Sequence, residues 1–155
     1  MALNVKDRVL CTLRMHQILS QPRGVGDSCR ALLVVLKQLL ASRGLRSGKP
    51  GECGVDSHVL FHLVYFFVKS HPTLAVRPLD PTRELGDMLL DFLKIFALDF
   101  DAGKHALHWR NGRLVCAPNH ACKSAGVMIH DMMPGVSPIR ARASFLRTQQ
   151  VFLEA

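Results

Sequence analysis

Apolar residues recur along this chain with helical spacing in several stretches and with strand-like alternation near the end. Over residues 5–19, Val9, Leu10, Leu13, Ile18 and Leu19 fall near one side, with Lys6, Asp7 and Arg14 opposite. That pattern predicts a helix with those apolar side chains turned inward. Gln21-Pro22-Arg23-Gly24-Val25-Gly26 reads as a loop from its Pro and Gly content. Asp27 or Ser28 can cap a second helix over residues 29–43. Leu32, Leu33, Val34, Val35, Leu36, Leu39 and Leu40 make it apolar nearly all round, as expected of an element central to its domain. Gly44 can end it as a left-handed cap before the basic loop 46–51.

A third helix is expected from Asp56 or Ser57 to Ser70, with Pro72 just past its end. Asp80-Pro81-Thr82 opens the clearest amphipathic helix, in which Leu85, Met88, Leu89, Phe92, Leu93 and Phe96 share a face. Arg83, Asp87, Asp91 and Lys94 face away from it. Residues 106–110 and 113–116 flank Asn111-Gly112, a strong hairpin signal. Residues 126–130 form a short apolar segment compatible with a strand, and the loop 131–138 leads to a basic helix over about 141–153. The fold class is therefore mainly α, one helical domain with a small β-hairpin insertion. Its parts are helices over 28–101, a hairpin and loop over 102–138, and a C-terminal helix over 139–155.

The apolar fraction of 48% can supply a core, which argues against disorder. Twenty Lys+Arg against 12 Asp+Glu give a formal charge of +8, which favours an anionic partner such as nucleic acid or a nucleotide. Five cysteines, odd in number and set in apolar runs, suit buried thiols in a reducing compartment better than a disulfide framework. No secretory signal is visible, and the apolar run 59–68 is shorter than the roughly 20 residues a membrane span needs. An intracellular, nuclear or cytoplasmic, protein with no membrane partner is expected.

Lys37 interrupts an otherwise apolar helix, so its ammonium must reach water or an anion. Gly54-Val55-Asp56-Ser57-His58 opens the next helix, where free N–H groups and a hydroxyl suit phosphate and an imidazole could stack on a base. The plain alternatives are a lysine snorkelling to solvent and an ordinary helix cap. Cys116, His120, Cys122 and His130 match no zinc spacing with short paired ligands. Arg140, Arg142 and Arg147 beside the loop 131–138 could hold phosphate or form a solvated basic face.

In order, these features resemble the non-canonical poly(A) polymerases, also called DNA polymerase sigma-like. Residues 31–45, ALLVVLKQLLASRGL, are similar to the family's L-V-L-V-L-K-Q-F-L-x-x-R-x-L helix. Residues 53–58, CGVDSH, and 68–72, VKSHP, stand where the family has G-G-[IV]-[SG]-S-Y and S-F-L-x-x-H-P. Residues 85–101 resemble its PAP-associated segment, and residues 129–145 its nucleotide-recognition loop. The likeness runs from about residue 28 to the end of the chain.

That resemblance implies a nucleotide- and RNA-binding portion of a terminal nucleotidyltransferase acting in RNA 3′-end tailing. Lys37, Gly54 and Ser57 would contact a nucleoside triphosphate, ATP or another, and His58 would take the place of the base-stacking tyrosine. Asp131 would begin the base-reading loop, and Arg140 and Arg142 would meet RNA or phosphate. The family's catalytic half carries Gly-Ser, a D-x-D pair and a third aspartate holding two metal ions. Upstream of Lys37 this chain has only Asp7 and Asp27. No catalytic or metal-ligating residue is therefore assigned, and Mg or Mn is expected only where a separate catalytic half supplies it. The implied partners are RNA, a nucleoside triphosphate, and a catalytic half or processing-complex subunit. The alternative is a non-catalytic interaction or RNA-binding module derived from the same family.

Overall fold

The computed structural model describes residues 5–21, 24–45, 55–101, 104–110, 113–118, 127–130, 139–141 and 143–155. Helices α1 (Val5–Leu19), α2 (Val25–Ser42) and α3 (Ser57–Ser70) pack in sequence, α2 against both neighbours. Two short helices follow, α4 (Pro72–Val76) and α5 (Leu85–Lys94), and α5 runs into a π-helical turn over Ile95–Asp99. Strands β1 (His105–Arg110), β2 (Arg113–Pro118), β3 (Val127–His130) and β4 (Ile139–Ala141) precede the closing helix α6 (Ala143–Leu153). The architecture is mainly helical, as the periodicity implies.

The second helix begins four residues earlier than its polar caps suggest, because Gly26 brings it against the end of α1. A Cβ at Gly26 would lie 2.8–2.9 Å from the carbonyl oxygens of Ile18, Leu19 and Gln21. Only glycine permits that approach, so Val25 and Gly26, which read as loop, are helix. Ser28 is then no cap. Its hydroxyl, buried, donates to the Gly24 carbonyl and accepts from the Leu79 N–H at 2.9 Å. At the other end Gly44 has φ 74°, with its N–H on the Ala41 carbonyl and the Leu45 N–H on that of Leu40. These bonds make the expected left-handed cap a Schellman motif.

Helix α1 buries a different face from the expected one. Cys11 and Ile18 are buried and Met15 is half-buried, whereas Val9, Leu10 and Leu13 are 53%, 41% and 54% exposed. Helix α2 likewise has an outer face, with Val34 68% exposed and Lys37 and Gln38 exposed beside it. The apolar centre is α3, where Phe61, Leu63, Val64, Phe67 and Val68 are fully enclosed.

Pro72 does not simply follow α3; it occupies the first turn of α4, where its missing N–H costs nothing. The α4–α5 connection is tied down by Arg77, whose guanidinium grips both carboxylate oxygens of Glu84. Glu84 also accepts from the Asp80 N–H at 3.1 Å. The amphipathic helix then carries its aromatic stripe into the π-turn. Phe92 meets Phe67, Phe96 and Phe152 at ring-centroid distances of 5.5, 4.7 and 5.7 Å. Gln149 from α6 donates to the Phe96 and Phe100 carbonyls, both at 3.0 Å, and so satisfies backbone acceptors at the π-turn.

The β region is larger than the expected hairpin. β1 and β2 pair antiparallel from His105↔Pro118 to Arg110↔Arg113, which is the hairpin around Asn111-Gly112. β3 pairs parallel with β1 and antiparallel with β4, giving the order β2-β1-β3-β4. Residues 139–141 are thus strand, and the closing helix starts at Ala143. Leu107 and Ile129, paired across β1 and β3, are fully buried.

Candidate functional site

Asp56, not Ser57, caps α3: its carboxylate accepts from the His58 N–H at 3.1 Å. An acidic cap neutralises the positive end of the helix. It also leaves the Ser57 side chain outside the cap, and Ser57 and Lys37 line one cleft of about 260 Å³ between α2 and the start of α3. Both residues are exposed. The rest of the lining is apolar, with Leu40 and Ala41 from α2, Leu45 just beyond it, and Val55 and Leu60 from the α3 side.

Lys37 reaches this position because helix spacing puts it one turn before Ala41 and beside Leu40. The end of α2 is held by Arg43, whose guanidinium pairs with the Glu154 carboxylate at 3.4 Å and bonds to its carbonyl at 3.3 Å. The arrangement offers one exposed ammonium and one exposed hydroxyl along a largely apolar cleft. That combination can hold an anion attached to an apolar body.

His58 points elsewhere. Its Nδ1 lies 2.9 Å from the Met15 sulfur, and its ring centroid is 4.5 Å from that of His62. His62 is wholly buried and donates through Nδ1 to the His58 carbonyl at 2.8 Å. His58 is not among the residues lining the cleft. Gly54, Asp131 and Arg142 lie outside the described residues, while Arg140 sits in β4 opposite Met128. Arg147 is exposed on α6.

Of the cleft walls, Ala41, Leu45 and Val55 fall within the two family-like stretches 31–45 and 53–58 with no role read for them there, and Leu60 lies outside both. Among the described residues, no three His, Cys, Asp or Glu side chains come together as a group that could hold a metal ion. Among them, too, no helix is long and apolar enough to cross a membrane. Cys11 and Cys29 are buried, and burial pushes the Cys29 thiol up to about 12, which makes it inert.

No family model matches the chain. It is 32% identical over 71 residues to Poly(A) RNA polymerase protein 1 of Eremothecium gossypii, covering 46% of this chain and 11% of that protein. It is 29% identical over 89 residues to Poly(A) RNA polymerase protein 2 of Saccharomyces cerevisiae, covering 57% and 15%. With Poly(A) RNA polymerase CID14 of Cryptococcus neoformans the identity is 25% over 96 residues, covering 62% and 12%. The matches therefore span less than a sixth of each relative. Among solved structures, the polymerase core of TRAMP, a RNA surveillance complex, has the same fold, with a TM-score of 0.72. The overlay covers 94% of this chain and 45% of that one at 22% identity.

Proposed function

We propose that this chain, which belongs to the non-canonical poly(A) polymerase family, is the nucleotide- and RNA-binding portion of a terminal nucleotidyltransferase active in RNA 3′-end tailing. The observation that supports it best is the convergence of Lys37 and Ser57 on one cleft from separate helices. A formal charge of +8 adds the long-range attraction that an RNA partner calls for. The carboxylates for two-metal transfer would come from a catalytic half outside these residues, and this portion alone transfers no nucleotide.

Calorimetric titration of the chain with ATP, UTP and oligo(A), wild type against Lys37→Ala, tests the reading. Losing one charge-assisted phosphate contact should weaken ATP by about tenfold or more. Binding to oligo(A) should weaken steeply with added salt. A chain that binds no nucleotide, or binds it with an affinity indifferent to Lys37, is the non-catalytic module instead.

A further inference from the structure

We propose that Arg43 is a positioning residue for the cleft, and that through it the last turn of α6 and a ligand in the cleft stabilise one another. This rests on the nucleotide-binding reading and adds to it a part of the fold that does not touch the ligand. Among the described residues, neither Arg43 nor any residue of α6 lines the cleft. Ala41 and Leu45, on either side of Arg43 in sequence, both do. Leu45 stands there because the chain turns back at Gly44, with φ 74°, and the Leu45 N–H meets the Leu40 carbonyl at 2.8 Å. The place of that wall is therefore set just beyond the helix, at the turn that carries the Arg43 side chain.

Arg43 reaches a segment 111 residues away. One guanidinium nitrogen meets the Glu154 carboxylate at 3.4 Å and another the Glu154 carbonyl at 3.3 Å. The second carboxylate oxygen accepts from Gln150 Nε2 at 3.3 Å, which orients the Glu154 side chain. α6 is the fixed side of this contact, because Phe152 is buried with its ring 5.7 Å from that of Phe92. The end of α2 is exposed at Ser42, Arg43 and Gly44, so Arg43 is what ties it across. The paired side chains are 41% and 52% exposed, so the contact adds little to global stability. What it governs is where the wall stands. A wall that shifts when the contact opens holds a ligand less well. By linkage, a bound ligand then holds the contact closed by the same factor.

The test joins calorimetry with ATP to amide hydrogen exchange over Gln150–Glu154, both on the full chain. Arg43→Ala should weaken ATP about three- to fivefold, the upper range for an exposed pair, while the urea midpoint moves by less than about 0.5 M. Arg43→Lys keeps the cation but loses the two-pronged reach, and should recover part of the affinity. Arg30→Ala removes the same charge from the other end of α2, where Arg30 bonds to Asp27 and the Leu19 carbonyl, and should change ATP affinity by less than about twofold. ATP should slow exchange in the last turn of α6 by the same three- to fivefold in the wild type, a comparison that needs no variant to fold. In Arg43→Ala that protection should vanish. An ATP affinity in Arg43→Ala within about twofold of the wild type would overturn the proposal. So would an equal loss in Arg30→Ala, which would reduce the effect to net charge, or exchange in α6 that ATP leaves unaltered. Indifference of ATP to Lys37→Ala would instead remove the nucleotide-binding reading itself, and this inference with it.

Discussion

Lys37 and Ser57 line the same cleft from two different helices, and Ser57 is available to it because its neighbour Asp56 does the capping of α3. A cap and a ligand-facing hydroxyl are usually alternatives for one serine. Here Asp56 takes the cap and Ser57 lines the cleft. Asp56→Ala should therefore destabilise α3 by about 1 kcal/mol, read from urea unfolding, while Ser57→Ala leaves stability within about 0.5 kcal/mol. An equal loss in both variants would mean that Ser57 shares the cap.

The buried Ser28 hydroxyl is the acceptor for the Leu79 N–H, and it links α2 to the α4–α5 connection. Ser28→Ala leaves that N–H enclosed with no acceptor, at a cost of about 1–3 kcal/mol in chemical denaturation. A change below about 0.5 kcal/mol would show that the N–H finds another acceptor.

Two glycine-to-alanine substitutions should act in opposite directions. Gly26→Ala forces a Cβ against the three carbonyl oxygens at the end of α1 and should cost about 1–3 kcal/mol. Gly86→Ala, in α5 with nothing within 4 Å of the added carbon, should gain about 0.5–1 kcal/mol. Thermal melts of both variants measure the contrast, and a stabilised Gly26→Ala would disprove the close α1–α2 approach.

The Arg77 guanidinium, through its hydrogen bonds, holds the Glu84 carboxyl down from 4.5 to about 2, with the Asp80 N–H adding to the effect. Because the folded value is the lower one, this pair's stabilisation is complete above the unfolded value. It is lost as pH falls from about 4.5 through about 2. Both side chains are solvent-accessible, so the effect is screened and should shrink at high salt. Glu84→Gln should flatten the acid limb of a melting-temperature profile over that window; an unchanged limb would refute the pairing.

The helices and the hairpin were legible because each is written in local periodicity or a turn signal. What escaped depends on contacts between distant segments. The stripe read from Val9, Leu10 and Leu13 missed Cys11 and Met15, which with Ile18 make the arc that faces inward. The early start of α2 follows from the fit of Gly26 to α1, and the π-turn has its carbonyls met by Gln149 from the far end of the chain. Strand β4 is three residues long, too short to show alternation, and exists by pairing with β3. The order of Lys37 and Ser57 pointed to a shared site, but its apolar wall emerges only when the end of α2 meets the start of α3. His58, read as a stacking group from its position, is drawn by Met15 and His62 away from that wall.

The central claim is that Lys37 and Ser57 hold one phosphorylated ligand together. A double-mutant cycle on ATP affinity, with Lys37→Ala, Ser57→Ala and both, tests it most directly. The account predicts that each single change weakens ATP and that the double change is weaker than additive by at least about 0.5 kcal/mol, since both groups meet the same phosphates. Additive effects, or an affinity untouched by either substitution, would contradict it.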